Sequence, residues 1–535
     1  MLTDGADLVL MGGRIFTGAP SGWFAEALAI RGERILAVGS EQEIQALVSD
    51  GTEVVDLAGR VAVPAFVDLQ HPPTQLWSKI YFDFAAATNL KEIQERLAAF
   101  ARDYQIDWLE GGPFDFADLQ GKEPHRTLLD KIVPDRAVVL LADGGSSAWL
   151  NSVALAKSKI TRTTPDPVGG RIARDADGEP SGRLDGTAVR LIARPEAKVA
   201  DEDVKALLAD ARQHALHAGL GAVHLTLTEQ ELSVLATLTD WGEYPLHVFA
   251  WPRLNSSGGQ LIEALQKQRG KLKDYASLHV LAPLVRVDGM LGGRTAALLE
   301  PYADAAPWRG LPLNAAELSG TVKRCNEAGF PVTFQASGDA AVRAALDAIQ
   351  SVPAAKRLRN VIAQIVLVDA QDVPRFQQLN VVAGFLPGTI PLDLARNGYV
   401  DARLGPERAV RALPMRALLD AGAVVAFGSA FDLTPLDPLQ WIYGAVTRQD
   451  ARGAPRDGWG AAQRLSMEEA FRAAAFGGAY AGGQEKDRGT LERGKLADIT
   501  VLAHDPFAAV PAELLKNRVD IVIHKGKTVL PEGGG

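Results

Sequence analysis

Acid–base chemistry needs titratable groups enclosed by apolar surroundings, and this chain of 535 residues sets several of them where short apolar runs end. Asp288 follows LVRV, His224 stands in GAVHLTL, and Asp68 and His71 close the run that begins at Val61. An aspartate or histidine held in an apolar mouth has its pKa moved toward the working pH, which is what a general acid or base requires. Asp288 and His224 are therefore the expected proton-transfer pair. His71, Arg294 and Asp432 are expected to line the same site, with Arg294 either anchoring a carboxylate or pairing with Asp288, the more ordinary outcome. The competing reading is structural, because strand-end carboxylates commonly cap helices or bind loop amides, and Asp339 in SGDAAV fits that role well. His214 and His217 read as surface or packing residues of a helix. No Gly-x-Ser-x-Gly elbow, P-loop or dinucleotide fingerprint is present, and Gly428-Ser429 has no evident histidine partner in the sequence.

The elements that must position these groups follow from periodicity. Residues 6–64 alternate short strands and glycine turns, and the tail from KLADITVL to GKTVL has the same texture, so both termini are expected to build one small β-sandwich. From about 74 to 195 the pattern turns to helices, including 89–104 and the 127–141 region, with a turn-rich hairpin or irregular loop at DPVGGRIARDADGEPSGRLDG. Beyond it come candidate strands at 222–227, 246–251, 284–289, 332–337, 360–365, 381–386 and 424–430, separated in several places by amphipathic helices. With the run at 61–69 that makes eight, the pattern of an α/β (β/α)8 TIM barrel with its functional groups at the C-terminal strand ends. The expected division is residues 1–60 and 481–535 for the two halves of the sandwich. Residues 61–480 form the barrel, with an α+β insertion of about 74–195 after its first strand.

Composition narrows the partners. A formal net charge of −9 without a basic run argues against nucleic acid and anionic membranes, and a small neutral or cationic molecule fits better. No uninterrupted apolar stretch of about 20 residues spans a membrane and no secretory leader is read at the N-terminus, so a cytoplasmic location is expected. The single cysteine, Cys325, excludes an internal disulfide framework and reads as a buried helix residue.

Longer segments carry a family likeness. GRVAVPAFVDLQHPP (59–73), LVRVDGMLGGRTAALLEPYAD (284–304), FQASGDAAVRAALDAI (334–349), RNVIAQIVLVDAQDVPRF (359–376), FGSAFDLTPLDPLQWIYGAVTR (427–448) and GTLERGKLADITVL (489–502) resemble, in order, segments of the amidohydrolase superfamily. The branch is the one that includes N-substituted formamide deformylases. The resemblance implies a barrel whose strand ends hold one or two divalent cations and a metal-bound water. Carried across, the first-strand histidines fall on Gln70 and Pro72, the fourth-strand lysine on Leu284, and the fifth- and sixth-strand histidines on Gln335 and Gln364. The last-strand aspartate falls on Ala430. The expectation is therefore no metal and no cofactor, with Gln70, Gln335 and Gln364 lining a polar, uncharged mouth. GSSAWLN (145–151) resembles a family segment in which Ser146 takes a histidine position, which adds Ser146 and Trp149 to the expected substrate-binding set. Three readings stay open: a metal-independent acid–base enzyme acting on a small organic molecule, a catalytically silent relative that binds a small molecule or partner, and a metal-dependent hydrolase of C–N bonds. The family likeness also makes a homodimer possible.

Overall fold

The computed structural model describes the chain apart from residues 1–4, 72–80, 84–86, 88, 115, 120–121, 143–144, 194–199, 241, 243, 253–258, 282–283, 312, 396–398, 430–435 and 531–535. Pro72, Ala430 and Asp432 thus lie outside the described residues. Among the described residues no helix is long and apolar enough to cross a membrane.

The chain's ends share a sheet. The strand Val61–Pro64 pairs with Arg14–Phe16 on one side and with Ile499–Leu502 on the other, and Val519–His524 and Lys527–Leu530 continue the sheet. A second sheet is built from Arg34–Gly39, Ala27–Arg31, Leu8–Met11 and Glu53–Asp56, in that spatial order. Leu10, Ile30, Ile35, Ile499 and Ile523 from both sheets meet in one apolar cluster, because the apolar face of a sheet must be covered by a second layer.

The run expected as a single strand at 61–69 divides at Pro64–Ala65. Val61–Pro64 stays with the terminal sheet, and β1 (Phe66–Asp68) crosses to β2 (Leu220–Leu227), pairing Val67 with Ala222. Proline supplies no backbone donor for continued pairing, which suits a strand that changes sheets there. Parallel pairing continues through β3 (His247–Pro252) and β4 (Leu278–Val280). A second parallel sheet runs β5 (Leu284–Arg286), β6 (Thr333–Gln335), β7 (Val361–Ala363), β8 (Val382–Phe385) and β9 (Val425–Phe427). The fourth expected strand, 284–289, is observed as the shorter β5, and β4, which pairs back to β3, lies outside every expected strand. The sheets touch where Leu69 N donates to Phe427 O, 3.0 Å away.

Side-chain alternation sorts the strands' two faces. Phe66, Val223, Val248, Phe334, Ile362, Ala383 and Phe427 join the helices in the main core. On the other face Val67, Ala222, Phe249, Trp251 and Leu281 cluster with Leu284 packed against them, and Leu69, Ala363, Val382 and Ala426 form a second cluster. This period-two pattern of apolar residues on both faces is what buried parallel strands require. Helix α1 (Asp339–Gln350) shows the matching helical pattern, burying Ala341, Val342, Ala345, Leu346, Ala348 and Ile349 against the sheet.

The inserted region has its own mixed sheet, with Trp108–Phe114, Ala137–Ala142, Ser147–Leu150 and Pro180–Gly186 at its centre. The helix expected at 89–104 is observed as Leu90–Asp103, capped by Asn89. The helical expectation for 127–141 is corrected: helix Arg126–Asp130 ends early and AVVLLA forms a strand, because a short apolar, β-branched run behind Pro134 favours an extended chain. The turn-rich segment is a hairpin of Gly170–Arg174 and Pro180–Gly186. Cys325 is buried in helix Ala315–Glu327, where burial pushes its thiol up to about 11.

Candidate functional site at the strand ends

The end of β1 is tied to the end of β9 by one carboxylate. Asp68 is fully buried; its Oδ1 accepts from the amides of Gln70 (2.9 Å) and Ser429 (2.8 Å), and its Oδ2 meets the Ser429 hydroxyl (2.7 Å) and His71 Nδ1 (3.0 Å). A turn at Leu69–Gln70 brings His71 back onto Asp68, where strand alternation alone places it on the far face. With the carboxylate as acceptor, Nδ1 carries the imidazole hydrogen and Nε2 is the basic nitrogen. Ser429 does have a histidine within its network, but the aspartate lies between them, so the hydroxyl has no imidazole to take its proton. Gln70 is nine-tenths buried, and its Oε1 has no hydrogen-bond partner.

The expected pair, Asp288 and His224, is not brought together. Asp288 is buried and accepts three backbone amides: Ser337 on Oδ1 (2.9 Å), and Gly338 (2.9 Å) and Ala297 (2.8 Å) on Oδ2. Burial pushes its carboxyl up to about 7 against the pull of these donors. It fastens the loop after β5 to the loop after β6, the structural role common for strand-end aspartates. His224 sits in the middle of β2, fully buried, with Nε2 on Gly478 O (3.0 Å) and its ring stacked on Phe249 at 4.4 Å. Burial pulls its pKa down to about 4. His279 stacks on the other side of Phe249 at 5.3 Å and is lowered to about 4 by the same cause. The hydrogen bonds of the two groups go to different parts of the fold, and position at a strand end says nothing about which partners the fold supplies.

Arg294 pairs with Asp304 at 2.9 Å rather than with Asp288, and Arg403 shares that carboxylate. It lines a cavity of about 430 Å3 between the insertion and the 293–308 segment, together with Arg183, Asp185 and Trp308. Ser146 and Trp149 are both fully buried; Trp149 packs against Phe114 at 5.7 Å inside the insertion's core. Asp339 accepts the amide of Leu299 at 2.9 Å, as a loop-binding aspartate would.

Arg286, missed from sequence, joins the expected Gln335 and Gln364 at the ends of β5, β6 and β7. Arg286 is exposed and donates from Nε to Gln335 Oε1 (3.4 Å), and Gln335 Nε2 donates in turn to Gln364 Oε1. Gln335 and Gln364 are nine-tenths buried or more, and Gln364 has a left-handed backbone with φ of 61°. Counting two residues on from Leu284 along the strand finds Arg286 on the enclosed face.

Elsewhere, among the described residues, one group of side chains offers metal-ligand atoms at close range: His247, Asp498 and His524, all buried, at the start of β3 and against the terminal sheet. Arg488 lies between them, with Nη1 2.8 Å from Asp498 and Nη2 2.5 Å from His247 Nε2. Its guanidinium takes the place that a cation would need.

A sequence model described as Amidohydrolase family matches residues 53–530. YtcJ of Bacillus subtilis (strain 168), named as an amidohydrolase, is 29% identical over 544 residues, covering 97% of this chain and 98% of that protein. The N-substituted formamide deformylase of Arthrobacter pascens is 23% identical over 567 residues, covering 98% and 100%. Among solved structures, an uncharacterized metal-dependent hydrolase from Pyrococcus horikoshii OT3 shares the fold with a TM-score of 0.70 at 24% identity, covering 94% of this chain and 99% of that one.

Proposed function

This chain belongs to the amidohydrolase family, and from that premise we propose that it binds a small organic molecule at its strand ends without the family's hydrolytic metal. The two parallel sheets are read as halves of one (β/α)8 barrel, supported by the Leu69–Phe427 hydrogen bond at one seam and the short span between β4 and β5 at the other. The two terminal sheets with their shared core are read as the sandwich, and the mixed sheet as an insertion within the barrel.

The observation that carries the metal-free reading is the chain Arg286–Gln335–Gln364. The resemblance sets metal ligands at Gln335 and Gln364, yet these two amides bond to each other and the pair is completed by a guanidinium. A divalent cation needs imidazole or carboxylate donors pointed at a common centre. Neutral amide oxygens that already accept hydrogen bonds, beside a fixed positive charge, do not fit it. At the fourth-strand position Leu284 packs on the cluster of Phe249 and Trp251, an apolar filling of the same region. Elemental analysis of protein purified without chelator is expected to find only traces of zinc, iron or manganese; near one equivalent per chain overturns the reading and restores an ordinary metal-dependent hydrolase.

A second reading, acid–base turnover without metal, is favoured by the Asp68–His71 contact, which holds a basic Nε2 at the end of β1. The family and the deformylase relative suggest N-acylated and N-formylated amines as a substrate panel. Under this reading His71→Asn lowers any turnover found in that panel by about 10²–10⁴-fold. Unchanged turnover in the variant removes it.

A further inference from the structure

We propose that the cavity between the inserted sheet and the segment after β5 binds the carboxylate of a small organic acid, with Arg171 and Ser181 as its recognition groups. The site goes beyond the reading above: no residue of its wall comes from β6 or β7 or stands where the resemblance sets a metal ligand. The turn-rich hairpin builds it. Alternate side chains of a strand share a face. Ile172 and Leu184 enter an apolar core of the insertion, while Arg171 and Ala173 on one strand and Ser181, Arg183 and Asp185 on the other line the cavity. Arg294, Ala305 and Trp308 line it from the segment after β5. The two walls are pinned together where Arg183 Nη2 donates to Gly293 O at 2.7 Å, so the cavity of about 430 Å3 is preformed and a ligand need not order it.

The charges of the wall do not cancel. Asp185 is held by Arg183 Nε at 2.9 Å, Glu123 by Arg183 Nη1 at 3.0 Å and Asp175 by Arg126 Nη2 at 3.1 Å, so each carboxylate already has a guanidinium. Arg294 is paired with Asp304, and Arg174 spends its donors on the carbonyls of Thr161, Arg162, Thr164 and Gly178. Arg171 has neither kind of partner. Among the described residues no carboxylate reaches it, and its guanidinium lies over the Trp308 ring, 5.3 Å from the centroid. Stacking engages the face of a guanidinium and leaves its in-plane N–H fork to hold the paired oxygens of an anion. Ser181 is an independent observation. It is nine-tenths buried, and its hydroxyl has no hydrogen-bond partner among the described residues. Buried polar groups are rarely left so, and this one opens on the cavity. A guanidinium only donates and a hydroxyl can donate, so the occupant that suits both is an acceptor carrying negative charge, and a carboxylate matches the fork in its plane. Pro124, Ala173 and Ala305 make part of the wall apolar, so the acid should carry an apolar body. The net charge of −9 does not oppose this, because exposed charges beyond the Debye length of about 8 Å are largely screened.

The test is calorimetric titration of the full-length protein with benzoate and with its neutral isostere benzamide, with metal assayed in the same preparation. Benzoate is expected to bind at least about tenfold more tightly than benzamide, the scale of one charge-assisted hydrogen bond. Arg171→Gln should remove the preference, and Arg171→Lys, which keeps the charge without the fork, should keep part of it. Ser181→Ala should weaken benzoate about fivefold, the scale of one hydrogen bond. Arg171 is exposed, so its variants should fold as the wild type does, which circular dichroism checks. Equal binding of the two probes, no binding of benzoate, an unchanged preference in Arg171→Gln, or an unchanged benzoate affinity in Ser181→Ala overturns the proposal. If the protein is metal-free and shows no preference, only this inference falls. If near one equivalent of metal is found and the preference is lost in Arg171→Gln, this inference stands and only the metal-free reading falls.

Discussion

Replacing Arg488 by methionine lowers the stability of this protein by about 3–5 kcal/mol, the usual cost of stripping one partner from a buried ion pair. Arg488 and Asp498 are 3% and 6% exposed. Asp498 Oδ1 is 3.2 Å from His524 Nδ1 and accepts the amide of Lys525 at 3.0 Å, and its Oδ2 takes the guanidinium at 2.8 Å. Burial alone would raise this carboxyl, yet the charges of His524 and Arg488 hold it well below the usual carboxylate range. Methionine fills the length of the arginine stem but leaves the anion without its guanidinium. The same change frees His247 Nε2, whose pairing with Arg488 joins β3 to the terminal sheet. Denaturant unfolding at fixed pH measures the loss, and a change below about 1 kcal/mol would show that the cluster relaxes without its cation. The double variant Arg488→Met/Asp498→Leu should recover much of the deficit, since an apolar pair often replaces a buried ion pair at little cost.

That cluster could not have been found in the sequence, because His247 lies more than two hundred residues from Arg488, Asp498 and His524 and no spacing rule joins them. The strands were legible: runs such as AVHLTL and VVAGFL sit within a residue or two of β2 and β8. The division at Pro64 was visible as a proline inside an apolar run, yet its meaning depended on which sheet lay on either side. At the site, the replacement of histidine by glutamine at 70, 335 and 364 was legible in type but not in arrangement. Period-two counting from Leu284 would have reached Arg286; nothing local announced the left-handed backbone of Gln364. Asp288 and His224 show the opposite limit. Their residue types suit catalysis, but three loop amides and a stacked aromatic column had already engaged them.

Acidification below neutrality destabilises the fold, by up to about 3 kcal/mol per pH unit between roughly pH 6.5 and 4. His224 and His279 have folded pKa values of about 4, and burial, with the Arg488 charge behind it, sets His247 well below its ordinary range. A histidine depressed in the folded state contributes stability that is present above its unfolded pKa of about 6.5 and is lost as the pH falls toward the folded value. Three such groups let the unfolded chain bind up to three more protons than the native one, each worth about 1.4 kcal/mol per pH unit. Asp288 works against them. Its folded pKa is raised to about 7, so its contribution is complete below the unfolded value of about 4 and is lost as the pH rises through 7; over the same window it returns one proton's worth. Among these four groups the balance is at most two protons. His279→Phe keeps the stack on Phe249 and removes a ring whose Nε2 is buried without a partner, so it should flatten the slope by one proton. Asp288→Asn removes the opposing group and should steepen the slope by one, while lowering stability by about 1–3 kcal/mol as the loop amides lose an acceptor. Denaturant midpoints measured from pH 7.5 to 4.5 report both slopes. Variants that shift them in the same direction, or a wild type whose midpoint stays level across that range, would show that these buried groups do not set the acid limit of the fold.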